Sequence, residues 1–411
     1  MAETVIPNSE DDLRDFIADA LARETSLEII GGGSKSLLGR HAPQRLKVSL
    51  SGLSQITLYE PEELVMTAGA GAPLNTIKDM LARQGQQLAF EPPDWSALFG
   101  ADNDGGGQTI GGVIACNLSG PRRLAAGAAR DHFLGVRAVS GRGEIFKSGG
   151  RVVKNVTGYD MCKLLAGSYG TLAAMSEVTF KVLPAGEKLR SLLVFGLDDG
   201  AAVEALGAAL QSPYEISAAA HLSRDIAAAS SVAYVRDSGA SVTAVRIEGH
   251  GPSVDSRLAA LRELLGGYGE IEELHRHNTN DIWREIGNVA YFAGPADKDR
   301  AIWRISAQPS SAAELAATIR ARIDARAYHD WGGGLIWLSV AEGDEAGQQV
   351  VRAAIAADGG QATLIRGSAS VRGRIEVFQP QKPGLAALNN RIKEVFDPNG
   401  ILNPGRMYAH S

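Results

Sequence analysis

The stretch that decides the architecture is Gly127–Pro184, "GAARDHFLGVRAVSGRGEIFKSGGRVVKNVTGYDMCKLLAGSYGTLAAMSEVTFKVLP". Its first part reads as a β-hairpin turning near Gly141–Gly143. A short helix before Gly167, a turn and a long strand ending at Pro184 follow. Working upstream, the same texture of short alternating pieces continues. Ser9 suits the N-cap of a helix over Glu10–Arg23, whose first turn is acidic. Leu27–Ile30 is a strand that runs into "GGGSKS" (Gly31–Ser36), and Leu64–Gly71 is a strand into a turn. Pro73 suits the first turn of a helix that ends at Gly85. The segment "GGGQTIGGVIACNLSG" (Gly105–Gly120) is too glycine-rich to predict a helix; its use is a backbone that approaches something closely.

Three glycine-rich segments, 31–36, 105–120 and 167–171, therefore lie in one half of the chain. Glycine after a strand lets backbone N–H groups close on phosphate. A nucleotide triphosphate loop needs Gly directly before Lys-[Ser/Thr], and Ser34 stands there instead. A Rossmann fingerprint from Gly31 needs Gly at 36, where Ser36 sits, and then a long helix. Several such loops point to a long ligand with a pyrophosphate centre, as a dinucleotide has, against the plainer reading of frequent tight turns.

The chain of 411 residues has room for two or three domains. It is 45% hydrophobic and 21% charged, which predicts globular domains rather than disorder. A net charge of −6 and the lack of a long basic run give no electrostatic footprint for nucleic acid. No apolar run approaches the ~20 residues of a membrane span, and the acidic N-terminus has no signal core. Cys116 and Cys162 are too few for an iron–sulfur site and read as buried free thiols of a cytoplasmic protein.

From about Glu187 alanine-rich helices alternate with strands in the order strand-helix-strand-strand-helix-strand. That order predicts one large antiparallel sheet with helices on one face, an α+β arrangement. A helix near Gly384–Phe396 follows. Asp397-Pro398 stops it, and Asn399-Gly400 and Pro404-Gly405 force two turns.

"GGGSKS", "QTIGGVIACNLSG", the run Gly127–Pro184 and the terminal "FDPNGILNPGR" resemble flavoproteins of vanillyl-alcohol-oxidase type, most of all FAD-binding subunits of bacterial glycolate oxidases. The resemblance implies an α+β fold: an FAD-binding domain of two subdomains (1–186), an α+β cap with ferredoxin-like strand–helix order (187–383), and a C-terminal segment packing back (384–411). It implies non-covalent FAD, since some relatives tether the flavin through a histidine in the first loop and 31–36 holds none. Gly31, Gly32, Gly33, Ser34, Lys35 and Ser36 would cradle the pyrophosphate. Thr109, Ile110, Gly111, Gly112, Asn117, Ser119 and Gly120 would line pyrophosphate and flavin. Gly167, Ser168, Gly170 and Thr171 would follow the ribityl chain, and the strand at Met175 would meet the adenine. The implied partners are a homologous FAD-linked catalytic subunit and an iron–sulfur subunit, with glycolate as substrate through the complex and any membrane association through partners.

Catalytic relatives carry metal-binding histidines in the cap. At the seemingly corresponding places this chain has "HDWGGGLIWLSV" and "VFQPQKPG", so His329-Asp330 reads as a relic, no base is assigned, and an accessory subunit is expected, with a self-sufficient FAD-dependent 2-hydroxy-acid dehydrogenase and a non-redox structural subunit with a degenerate flavin site as the alternatives. Arg130-Asp131 and Lys154 read as ion-paired structural groups, and Asp160 as a helix cap. His275-x-His277 would put two imidazoles on one strand face, though without a third ligand they read as surface residues. Arg304 suits a substrate carboxylate or, by preference, an acid at a subunit contact. Trp303, Trp331 and Trp337 are core residues or interface anchors.

Overall fold

The computed structural model describes residues 4–41, 46–100, 107–151, 158–356 and 359–409; Lys154 and the start of the second glycine segment lie outside them. The first part begins with a parallel three-stranded sheet of β1 (Thr4–Val5), β2 (Leu27–Ile30) and β3 (Leu46–Ser49), in the order β1-β3-β2. The helix Glu10–Ala22 packs Leu13 and Ile17 into the core beneath, and Ser9 caps it by accepting from the Asp12 N–H at 3.0 Å.

An antiparallel sheet follows, built from β4 (Ile56–Glu60), β5 (Val65–Gly69), β7 (Phe133–Ser140), β8 (Ile145–Gly149) and β9 (Ala173–Lys181), in the order β4-β5-β9-β7-β8. The hairpin expected at Gly141–Gly143 joins β7 to β8. The short strands β6 (Gln86–Gln87) and β10 (Leu183–Pro184) pair beside it.

The second part is an eight-stranded antiparallel sheet. Its strands are β11 (Lys188–Phe195), β12 (Ala218–Leu222), β13 (Val242–Gly249), β14 (Ile271–His275), β15 (Arg300–Ser306), β16 (Ala325–Asp330), β17 (Leu335–Ala341) and β18 (Gln361–Arg366), in the order β14-β11-β13-β12-β16-β17-β15-β18. Alternation along the strands gives the sheet two apolar faces. Leu192, Val194 and Ala219 face the helices Asp199–Gln211 and Gly251–Leu265, while Trp303, Ile305 and Leu338 face Ala312–Arg320 and Gln348–Ala356. The opposite face, with Leu193, Ala220, Tyr328 and Trp337, merges into the core of the first part. One helix departs from the one-face expectation. Arg276–Asn288 lies on that second face, where its buried Trp283 donates to Ser191 Oγ at 2.8 Å.

Two further expectations are corrected. Ile110–Ala115 is helical despite its glycines. Thr109 caps it by accepting from the Gly112 N–H at 3.3 Å, and Gly111 lies so close to β5's end that a Cβ would stand 2.6 Å from Ala70. Packing thus requires the glycine that lowers helix propensity. His275 and His277 do not share a strand face, because β14 ends at His275 and His277 lies in the next helix; both are exposed.

The C-terminal helix Pro383–Phe396 and the turns after it return the chain to β2. Asp397 is 1% exposed; it accepts the Ile401 and Leu402 N–H groups at 3.0 and 2.8 Å and pairs with Lys393 at 2.7 Å. Leu27 and Leu402 then form a parallel bridge, and the Ile29 N–H donates to Asn403 Oδ1 at 2.9 Å. Among the described residues no helix is long and apolar enough to cross a membrane.

Candidate functional site

The end of β2, the loop Gly31–Ser36, the start of the helix Ile110–Ala115, the turn at Tyr169-Gly170 and the start of β9 enclose a cleft with about 650 Å³ of space, counting its open mouth. Gly31, Gly32, Gly33, Ser34, Lys35, Ser36, Thr109, Gly111, Gly112, Gly170 and Met175 line it together. A Cβ on Gly31 would stand 2.1 Å from Thr109 Oγ1, so only glycine lets the two segments meet.

The cleft is polar where the loop turns. Among the described residues, no protein acceptor takes the backbone N–H groups of Gly32, Gly33, Ser34 or Lys35. Among the described residues the Lys35 ammonium has one hydrogen bond, to Ser34 Oγ at 3.2 Å, and no acid within ion-pair distance. Burial pulls its pKa down. An ammonium and a row of donors without acceptors form a receptor for an anion. The Arg406 guanidinium closes the far side, anchored 2.7 Å from the Lys35 carbonyl oxygen and 3.4 Å from Glu28.

Other predicted residues stand elsewhere. Ile110 is in the core. Asn117 Oδ1 accepts from the Arg130 N–H, and Ser119 Oγ from the Ala129 N–H, both at 2.9 Å. The Gly120 carbonyl accepts from Trp331 Nε1 at 3.1 Å. Gly167, Ser168 and Thr171 line a second cavity against the C-terminal helix. Asp131 accepts from the Ala128 N–H at 2.8 Å, a capping role, and Asp160 caps its helix as expected; the Lys154 side of the ion-pair expectation lies outside the described residues. Tyr169, Cys116 and Arg406 line the cleft although the sequence reading gave them no role. Tyr169 sits between two predicted residues, and Arg406 ends a motif noted only for its turns. Burial pushes both the Cys116 thiol and the Tyr169 phenol up, so both stay protonated.

Beside Tyr169 the second part supplies a cation. Arg304 on β15 faces inward with Ile302, opposite Trp337. Among the described residues it has no hydrogen bond or ion pair, so its guanidinium is open to a carboxylate from outside the chain, whether a substrate's or a partner's. Its guanidinium lies 5.0 Å from the Trp331 ring, which Arg123 covers at 4.4 Å. Burial lowers its pKa while its side chain keeps some contact with solvent, as a group lining a recess does. Trp303, Trp331 and Trp337 are all buried, which makes them core residues.

Alternation along β16 sends Tyr328 and Asp330 to this inner face and His329 to the helix side. Asp330 is 1% exposed, accepts from the Trp331 N–H at 2.7 Å, and is raised by burial to about 7. Among the described residues no three His, Cys, Asp or Glu side chains converge to hold a metal.

Residues 1–149 match the family model described as an FAD binding domain, and residues 376–407 that of the C-terminal domain of FAD linked oxidases. Over 401 residues the chain is 34% identical to glycolate oxidase subunit GlcE of Escherichia coli (strain K12), covering 97% of both chains. The chain belongs to the GlcE family of FAD-linked oxidoreductases. Its cofactor is FAD, and the cleft fits the group: unpaired donors and Lys35 suit a pyrophosphate. Another relative within reach of the GlcE family is glycolate oxidase subunit GlcD of Bacillus subtilis (strain 168), 31% identical over 223 residues, which are 53% of this chain and 43% of that protein. Among solved structures, p-cresol methylhydroxylase aligns with a TM-score of 0.71 at 15% identity, over 98% of this chain and 88% of that one. An alkyldihydroxyacetonephosphate synthase aligns at 0.69 and 17%, over 98% and 76%. These two likenesses show the α+β fold of the FAD oxidases.

Proposed function

We propose that the chain is the accessory FAD-binding subunit of a multi-subunit glycolate oxidase, converting glycolate to glyoxylate and passing electrons onward through a homologous FAD-linked catalytic subunit and an iron–sulfur subunit. Residues 1–186 and 384–411 would hold FAD and 187–383 would form the cap, in the cytoplasm and near a membrane only through partners. When bound, FAD supplies the hydride acceptor. The loop Gly31–Ser36 with Thr109, Gly111 and Gly112 holds its pyrophosphate. Asn117, Ser119, Gly120, Gly167, Ser168 and Thr171 support the walls around it.

The observation that carries the accessory role is a mismatch on the inner face of the cap. Arg304 is a free guanidinium suited to a small carboxylate, yet among the described residues no histidine stands with it, because His329 faces the other way. Removing an alcohol proton by a general base typically contributes ~10²–10⁴-fold, so the isolated chain should turn over glycolate slowly. One observation favours a self-sufficient 2-hydroxy-acid dehydrogenase instead: Asp330, with a pKa of about 7, has the affinity of a base.

Anaerobic mixing of glycolate with the purified FAD-loaded chain separates the two. The expected result is little or no bleaching of the flavin over minutes, with loss of the complex's activity when this chain is deleted. Rapid bleaching that Asp330→Asn abolishes would replace the accessory reading with the dehydrogenase one. The flavin should also leave with acid. The loop 31–36 holds no histidine, and the Cys116 thiol stays protonated, so acid precipitation is expected to release all flavin to the supernatant. Colour in the pellet would contradict non-covalent binding.

A further inference from the structure

The eight-stranded sheet is two four-stranded halves with a narrow join. β12 pairs with β13 over five residues and β16 with β17 over six, but β12 meets β16 through only His221↔His329 and Leu222↔Tyr328. At that join two imidazoles, each 1% exposed, lie side by side with ring centroids 6.2 Å apart.

Both point at one carboxylate. Asp199, the first residue of the helix on one half, stands 3.4 Å from His221 Nε2 and 3.5 Å from His329 Nε2. Arg320, the last residue of a helix on the other half, also pairs with it. His221 Nδ1 meets Thr243 Oγ1 at 2.9 Å, whereas His221 Nε2 and both His329 nitrogens lack a well-aligned hydrogen bond. The other charged groups nearby are Asp198, Arg224 and Glu314, which line the open cleft leading to His221 and Asp199. Protons therefore have a solvent route to the pair. A single carboxylate already held by a guanidinium cannot balance two buried imidazolium charges as well.

We propose that this join is a proton-operated latch: with the imidazoles neutral, Asp199 ties the two halves of the sheet together, and charging both imidazoles beside Arg320 loosens the β12–β16 pairing. The direction follows from the surroundings. Burial lowers the His221 pKa and outweighs the Asp199 carboxylate, which raises it; the neighbouring His329 and Arg320 add to the lowering. Burial works against the Asp199 carboxylate, but the imidazoles and Arg320 outweigh it and hold its pKa far below the usual range. In an unfolded or opened join His221 takes up its proton near the ordinary imidazole value of ~6.5, which its closed, buried site resists. The stabilisation is thus complete above about pH 6.5 and declines as pH falls below it. Because His329 alternates with Tyr328 and Asp330, the latch backs directly onto the inner face that carries Arg304.

The test needs no substrate and no turnover, so it stands apart from the glycolate reading. Hydrogen exchange of the full FAD-loaded chain is compared at pH 7.5 and 5.5, corrected for intrinsic rates. Amides of β12 and β16 at the join are expected to lose protection by about tenfold or more at the lower pH, while β5 and β9 hold theirs. His221→Gln and His329→Gln should each remove that pH dependence. Unchanged protection in the wild type, or a loss that persists in both variants, overturns the latch. Should the variants fail to fold, NMR titration of the two wild-type imidazoles decides. Uptake of the second proton together with loss of join protection supports the latch, and two ordinary titrations near pH 6.5 with protection intact refute it.

Discussion

Glu91→Gln is expected to lower the stability of the protein by about 3 kcal/mol. Glu91 receives Arg246 Nη1 and Nη2 at 2.9 and 3.0 Å and the Arg122 N–H at 2.9 Å, while Arg122 grips Glu248 at 2.7 and 2.9 Å. This network joins the first part to the face of β13. Arg246 is 1% exposed, and breaking a buried pair by removing one partner typically costs ~3–5 kcal/mol because the other charge is stranded. The Glu91 side chain retains 29% exposure, which places the effect toward the lower end. Burial would raise its pKa, but Arg246 and Arg122 override it and hold the group at about 2, against 4.5 when unfolded. The folded value is depressed, so the contribution is full above pH 4.5 and fades as pH falls toward 2. Urea melts from pH 7 to 2.5 check both points: the wild type should lose stability in that window and the variant should lose much less. A variant as stable as the wild type at pH 7 would mean that Arg246 finds another partner.

Lys35→Glu should empty the FAD site without harming the fold. A hydrogen bond to a charged group is worth ~1.5–3 kcal/mol, so removing the ammonium costs ~10–100-fold in affinity, and placing a carboxylate against phosphate costs more. Lys35 has no acid partner among the described residues, so none of their charges is left uncompensated by the change. The readout is the visible-to-ultraviolet absorbance ratio after gel filtration, with circular dichroism as the control. Full flavin content in a folded variant would remove the loop from the pyrophosphate.

The sequence carried the local elements well because their signals are local. Ser9 with acids behind it announces a helix start, and Gly141–Gly143 announces a hairpin. The cleft was legible only in part. Gly31 and Thr109 are far apart in the chain, and nothing in either segment says that one must lie 2.1 Å from the other's would-be Cβ. The helix at Ile110 was missed because its stability comes from the Thr109 cap and the contact with Ala70 rather than from propensity. For His329 and Arg304, strand alternation fixes that neighbours face opposite ways, but only the assembled layers say which side meets the first part and which the helices. Tyr169 and Arg406 reach the cleft through turns whose direction no periodicity encodes.

The return of the C-terminal segment to β2 bears on the order in which the molecule is made. Leu402 bridges Leu27, Asn403 holds Ile29, and Arg406 walls the cleft, yet the whole eight-stranded sheet lies between these partners in the chain. While the sheet is being translated, β2 and its glycine loop are already outside the ribosome with an edge unpaired and one wall missing. Flavin capture at full strength must therefore wait until synthesis has passed Arg406, which makes loading a late step and leaves the nascent first part dependent on its own core to stay folded.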